Sequence, residues 1–269
     1  MPFQTAFRFW SYNDSQGKLK PPPPAQRVYG PISHIGPLTV CAYIVETKAG
    51  LVAIDAGYDS DGDLLPNNIR TLGLDPRELK LILLTHWHWD HASGTSRLAK
   101  LSGAKVMIHE KDAEIVESGK YRGETLMPPA RIDKRLQDGD VVEMGGVTFK
   151  TAFCPGQSAG EVVFETRVEG SDGPCRVIFP GDAFGFKHDV KELDYLGYPG
   201  VVADYRRTVE VLRKMEFDLC LPGHPHQILG ETNVDGNPFI THAEWLKLVN
   251  GRSQQAEDFL KKYPQYLAL

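Results

Sequence analysis

The chain has 269 residues, 41% hydrophobic and 24% charged, with a net charge of −5, the balance of an ordinary soluble globular protein. That charge, without any Lys/Arg block, excludes a general nucleic-acid-binding surface, and no stretch approaches the roughly 18 uninterrupted apolar residues of a membrane span. The four cysteines, Cys41, Cys154, Cys175 and Cys220, stand singly without Cys-x-x-Cys spacing, so a disulfide framework is not expected.

Residues 1–24 end in Pro21-Pro22-Pro23-Pro24, a stiff polyproline segment. They read as part of an arm, residues 1–26, laid over a single domain of residues 27–269. The first 14 residues carry neither a basic start followed by an apolar run nor a small-residue cleavage site. With the unpaired cysteines this points to a reducing cytoplasm. Strands are expected over residues 28–32, 38–46 and 51–55, with Lys48-Ala49-Gly50 as the turn between the last two. Asp55-Ala56-Gly57 closes the third strand. Residues 63–72 read as a helix with Gly73 as its stop.

The run Lys80-Leu81-Ile82-Leu83-Leu84 has the length and composition of a buried strand. It is followed directly by Thr85-His86-Trp87-His88-Trp89-Asp90-His91. His86 and His88 are two apart, so in extended geometry they point to one side. Asp90 and His91 follow as the chain turns and serve a second point nearby. Imidazole nitrogen and carboxylate oxygen are donors that zinc prefers, and the spacing reads as two half-built metal sites sharing a loop. Trp87 and Trp89 between them read as packing, with Trp87 a candidate wall of a substrate pocket.

Downstream, residues 93–101 read as a helix with Ser93 as its N-cap, 105–109 as a strand and 110–118 as a helix. His109, outside any motif, reads as an exposed structural histidine. Residues 121–129 form an irregular loop and a candidate pocket rim. Strands over 141–144 and 147–153 flank Gly145-Gly146, a hairpin turn signal. They lead into Cys154-Pro155-Gly156-Gln157-Ser158-Ala159-Gly160. Strands over 161–168 and 176–179, joined by the loop 170–173, end in Pro180-Gly181-Asp182-Ala183. A helix over 202–215 shows Val202, Tyr205, Val209 and Leu212 on one face. A strand over 217–221 runs into Pro222-Gly223-His224-Pro225-His226, and a helical region over 242–263, broken near Asn250-Gly251, completes the chain. Strands interleaved with helices, with ligand-type residues at strand ends, fit a four-layer αββα sandwich of the α/β class.

The run from Thr85 to His91 resembles the signature of the metallo-β-lactamase superfamily. Residues 27–57, 72–103 and 204–224 are similar to the third subclass of metallo-β-lactamases, with the same order of elements. The resemblance implies one or two zinc ions, a small-molecule substrate and a hydrolytic activity in which water activated by the metal opens a cyclic amide. It implies that Asp90, His91 and His224 hold one ion, and that His86 and His88 with the residue at position 157 hold the other. It also implies that Asp90 is catalytic, orienting the water and shuttling its proton, and that Asp55 supports the metal loop. The ordinary alternative for Asp55 is a turn former. Asp182 matches a carboxylate that bridges two metals in the lactonase and glyoxalase II branches.

Two positions depart from the pattern. Gln157 stands where the resemblance places a histidine, and an amide oxygen is a weaker zinc donor than imidazole. That site is expected to bind metal less tightly unless Asp182 compensates, with His188 an outside candidate. The stretch Asp182-Ala183-Phe184-Gly185 offers no hydroxyl where that subclass holds the antibiotic's carboxylate. Lys187 is a candidate for an anionic substrate, and His226 for the pocket rim. Three readings follow: a cyclic-amide hydrolase; an ester, lactone or thioester hydrolase; and an iron-dependent oxidoreductase or non-catalytic metal-binding relative. The sequence is silent on oligomeric state.

Overall fold

The computed structural model describes residues 25–37, 39–58, 63–186, 189–228 and 238–269. The arm expected over residues 1–26, except its last two residues, and the candidates Lys187 and His188 lie outside the described residues.

Six strands lie side by side in chain order: β1 (Gln26–Tyr29), β2 (Ile32–His34), β3 (Tyr43–Thr47), β4 (Gly50–Ile54), β5 (Leu79–Leu83) and β6 (Lys105–His109). The short pair β7 (Lys120–Tyr121) and β8 (Glu124–Thr125) forms a separate hairpin, and β9 (Lys134–Leu136) adds beside β6 as the seventh strand of the first sheet. The second sheet has five strands in order: β10 (Val141–Met144), β11 (Val147–Phe153), β12 (Val162–Gly170), β13 (Gly173–Gly181) and β14 (Leu219–Pro222). Its first turn is set by Gly145 and Gly146, both at positive φ (+53° and +88°), the backbone that a two-residue hairpin turn with the right twist demands.

Side-chain alternation along β4 and β5 divides the core in two. Val52, Ile54, Leu81 and Leu83 point to the second sheet and pack with Phe149, Phe164, Val177 and Phe179. Their neighbours Leu51, Ala53, Ile82 and Leu84 point the other way, to Leu65 and Ile69 of α1 (Leu64–Thr71), Leu98 of α3 (Thr95–Ser102) and Val116 of α4 (Glu110–Ser118). A one-turn helix, α2 (Trp89–Ala92), precedes α3. The short α5 (Val190–Leu196), then α6 (Val201–Leu212) and α7 (His242–Lys262), belong with the second sheet's core through Leu193, Val202, Tyr205, Trp245 and Leu260. Strands buried on both faces read as continuous apolar runs, as 80–84 does, and the result is the αββα sandwich.

Several local expectations are corrected. The strand expected over 28–32 breaks at Gly30 (φ +51°) and Pro31 into the antiparallel pair β1 and β2, because a Gly-Pro dipeptide favours a turn. The helix expected from Ser93 begins at Thr95, and the Ser93 hydroxyl donates back to Trp89 O. His109 is buried, not exposed. It caps α4 by accepting from Lys111 N–H at 3.3 Å and stacks on Phe153 at 4.4 Å. The helix α7 is continuous through Asn250-Gly251. An internal glycine costs a helix about 1 kcal/mol, and here one buried face of Trp245, Leu248, Val249, Ala256, Phe259 and Leu260 outweighs it, started by a Thr241–Glu244 capping box. All four cysteines are buried and unpaired.

Candidate metal centre

Strand ends from both sheets meet at one edge of the sandwich: Asp55 after β4, the run from Thr85 after β5, Asp182 after β13 and His224 after β14. Backbone hydrogen bonds stitch them together. Val162 N–H donates to Thr85 O at 3.0 Å, Ala56 N–H to His91 O at 2.8 Å, Cys41 N–H to Gly223 O at 2.7 Å and Gly223 N–H to Gly181 O at 2.9 Å.

Asp55 is the fixed point beneath the loop. Its φ is +58°, in the left-handed region that aspartate tolerates better than most residues. Turned this way, its carboxylate accepts from Thr85 N–H at 2.8 Å and from the Thr85 hydroxyl at 2.9 Å, and faces His91 Nδ1 at 3.1 Å. Both readings of Asp55 therefore hold: it is a turn residue and it supports the loop.

Three histidines share one pattern, with Nδ1 against an acceptor and Nε2 facing the other ligand-type groups. His91 Nδ1 meets Asp55, and His224 Nδ1 lies 2.6 Å from Thr39 O. His86 Nδ1 lies 3.1 Å from the Thr85 hydroxyl and 3.4 Å from Glu161 Oε1. On the other side of the rings, His91 Nε2 and His224 Nε2 are 3.2 Å apart, and His86 Nε2 is 3.1 Å from His88 Nδ1. Metal-binding histidines commonly have the far nitrogen held this way, which fixes tautomer and ring orientation.

The donor atoms of His86, His91 and Asp182 lie within 4.8 Å of one another, as do those of Asp90, His91 and His224. Asp90 Oδ2 is 3.4 Å from His224 Nε2 and 3.7 Å from His91 Nε2. Asp182 sits between the groups, with Oδ1 3.7 Å from His91 Nε2 and Oδ2 3.4 Å from His224 Nε2. Gln157 turns to Asp182. Its amide N–H donates to Asp182 Oδ2 at 3.3 Å, and half a turn of the amide would present its oxygen at the same place. Trp87 is buried and lies 4.6 Å from the Tyr121 ring. His226 sits 5.2 Å from the His224 ring, in a side lobe of about 250 Å³ that also contains Arg252.

The electrostatics suit a cation. Asp55, Asp112, Glu161 and Asp182 are buried here, and among the described residues no lysine or arginine is. Burial works to raise the Asp182 pKa, but His224, His91 and His86 hold it well below the usual carboxylate range. Burial works to lower the His91 pKa, but Asp182, Asp55 and Asp90 push it up to about 9. Burial, with Asp182, Asp112 and Asp55 nearby, drives Glu161 well above its ordinary value. Buried carboxyls in excess of buried basic side chains, set against imidazole nitrogens, call for a compensating positive charge. The space is also cut to fit: a Cβ on Gly223 would come within 2.5 Å of Asp182 Oδ1 and 2.8 Å of His91 Cε1. Nitrogen and carboxylate donors in these numbers fit zinc.

Three participants carry weak sequence signals. Gln227 donates to Asp182 Oδ1 at 2.7 Å and accepts from His224 N–H at 3.1 Å; a glutamine three residues after a helix cap is the trace it leaves. Asp112 accepts from Trp87 N–H at 3.1 Å and from the Ser158 hydroxyl at 2.6 Å, tying the histidine loop to the Gln157 loop. Burial pushes its carboxyl up to about 7. Glu161 opens the apolar strand β12, and nothing in its neighbours marks it out.

The groups face a cavity of about 530 Å³ lined by His88, Asp90, Gln157, Asp182 and His224. Trp87, Leu126, Tyr195, Glu124 and Glu192 also line it. The loop expected over 121–129 thus contributes to the rim through Glu124 and Leu126, with Glu124 accepting from the Tyr195 hydroxyl at 2.8 Å.

Residues 35–224 match the sequence profile of the metallo-beta-lactamase superfamily. Among solved structures, the chain is similar to BJP-1, a subclass B3 metallo-beta-lactamase of Bradyrhizobium japonicum. The two are 26% identical with a TM-score of 0.79, over 91% of this chain and 97% of that one. It is 26% identical to the acyl-coenzyme A thioesterase MBLAC2 of Gallus gallus, over 64% of this chain and 68% of that protein. It is 37% identical to the hydroxyacylglutathione hydrolase of Pseudomonas putida, over 45% of this chain and 39% of that protein.

Proposed function

The chain belongs to the metallo-beta-lactamase superfamily and has the fold of its metallo-hydrolases, and on that premise we propose that it is a zinc-dependent hydrolase of a carbonyl–heteroatom bond in a small acyl substrate. One observation carries the reading: two overlapping groups of donors, His86 with His91 and Asp182, and Asp90 with His91 and His224, converge beside a single cavity. His86, His88, Gln157 and Asp182 would hold one ion, and Asp90, His91 and His224 the other. Zinc so held would polarise the attacked carbonyl and lower the pKa of water to about 7.

The chain's own groups supply the rest. Asp55 and Thr39 O hold the His91 and His224 rings so that each Nε2 faces Asp90. Asp90, partly exposed to the cavity, accepts a hydrogen bond from the attacking water, takes its proton and returns it to the leaving atom. Trp87 and Leu126 exclude water from one flank of the acyl group.

The walls favour an ester, lactone or thioester. Glu124 and Glu192 line the cavity, and acidic residues there disfavour an anionic group beside them. Ala183, Phe184 and Gly185 offer no hydroxyl to receive a carboxylate. The thioesterase and hydroxyacylglutathione hydrolase relatives accord with this class. A cyclic amide is the second reading, favoured by likeness to BJP-1 along nearly the whole chain. Turnover of the zinc-loaded protein on matched lactone, thioester and β-lactam panels separates them. Faster turnover of lactones or thioesters is expected. Faster β-lactam opening would reverse the order, and no hydrolysis of any panel would defeat the hydrolase reading.

A further inference from the structure

Glu161 has no exposed surface, and it lies behind His86 on the side away from the cavity. Its Oε1 accepts from Asp182 N–H at 2.8 Å and stands 3.4 Å from His86 Nδ1. A Cβ on Gly181 would fall 2.5 Å from that same oxygen, so the glycine lets the backbone close onto the carboxyl. The other oxygen, Oε2, is buried and has no hydrogen-bond partner. A wholly buried carboxyl with one idle oxygen is costly to the fold, and packing alone gives no reason to keep it.

The neighbouring bonds define its relation to His86. The Thr85 hydroxyl spends its hydrogen on Asp55, so towards His86 it can only accept. The His86 ring therefore carries its hydrogen on Nδ1, between the Thr85 oxygen at 3.1 Å and Glu161 Oε1 at 3.4 Å. The Nε2 lone pair is left facing His88 and the cavity side. A carboxyl behind a histidine in this way raises the donor strength of the opposite nitrogen. The same oxygen anchors the backbone of Asp182.

We propose that Glu161 is a positioning residue for the metal position at His86 and His88, holding His86 and Asp182 together and strengthening the imidazole donor where Gln157 supplies only an amide. This rests on the metal-binding part of the hydrolase reading and is independent of the substrate. Glu161 thus offsets the loss of a third imidazole, and the Gln157 and Glu161 side chains form a functional pair across the loop Ser158-Ala159-Gly160.

The test is a zinc titration of the full chain against a chelating indicator, for wild type, Glu161→Gln, and Glu161→Gln combined with Gln157→His. Glutamine keeps the volume and an acceptor for Asp182 N–H but replaces the carboxyl behind His86 with an amide. Affinity of the weaker zinc step should fall about 10- to 100-fold in Glu161→Gln, while the tighter step stays within about twofold. Adding Gln157→His should recover most of that loss. Should Glu161→Gln not fold, Glu161→Asp, which withdraws the carboxyl from His86, is expected to show the same selective loss. Cobalt(II) spectra of the same proteins should report a change at one of two ions. An unchanged weaker step in the folded variant, or equal loss at both steps, overturns the proposal. A wild-type chain that takes up no zinc overturns it together with the metal-dependent reading, whereas zinc uptake without hydrolysis counts against the hydrolase reading alone.

Discussion

The two halves of the candidate metal centre are built from the same materials and finished differently. In one half, Asp90, His91 and His224 supply a carboxylate and two imidazoles, and each ring is pinned from behind by Asp55 or by Thr39 O. In the other, His86 and His88 supply two imidazoles, and the place of a third is held by Gln157, whose amide turns to Asp182. The first half is complete within its own loops. The second depends on Asp182, which both halves share, and on Glu161 behind His86. On the proposed reading, metal affinity would be set as much by the groups behind the donors as by the donors themselves.

The largest expected effect breaks the complete half. Asp90→Asn removes charge and proton acceptance at constant shape, so kcat should fall by roughly 10² to 10⁴, with little change in Tm because the side chain is partly exposed. Wild-type turnover in that variant would remove Asp90 from the chemistry. A step smaller is Asp55→Asn. Asparagine tolerates the left-handed backbone that Asp55 adopts, so the turn should survive while the charge behind His91 is lost. Zinc affinity at Asp90, His91 and His224 should drop about 10- to 100-fold, measured by competition with a chelator, and the two halves should become alike.

The opposite change should sharpen the weak half. Gln157→His restores an imidazole, and the weaker zinc step should tighten by roughly tenfold. The smallest effect concerns the link between the loops. The Asp112 carboxyl, raised by burial from 3.8 to about 7, binds its proton more tightly folded than unfolded. Its contribution to stability is therefore fullest below pH 4 and is lost as pH rises through about 7. Asp112→Asn removes that dependence, so the Tm of the variant relative to wild type should climb between pH 4 and pH 7 and level off above. A constant difference across that range would show that Asp112 does not titrate there.

Much of the centre was legible in the sequence because the ligand-type residues cluster. Thr85 to His91 is contiguous, and Asp182 and His224 each follow an apolar strand and sit beside a glycine. Residues whose roles arise only from tertiary contact were not legible. Glu161 and Asp112 look like surface charges until the sheets close over them, and Gln227 acquires its role only once β13 and β14 pair in parallel. The same limit explains His109, whose burial comes with stacking on Phe153 from the other sheet, and α7, whose buried face overrides Gly251. The proposed preference for esters and thioesters over cyclic amides rests on Glu124 and Glu192, which are distant in sequence and line one cavity.

The inequality of the two halves is tested most directly by metal content during staged dialysis of the zinc-loaded protein against chelator of increasing strength. Two ions per chain should leave in separate steps, the first lost selectively from wild type and retained longer in Gln157→His, the second removed only by strong chelator and lost early in Asp55→Asn. Two ions leaving together, with the order untouched by either substitution, would contradict the account.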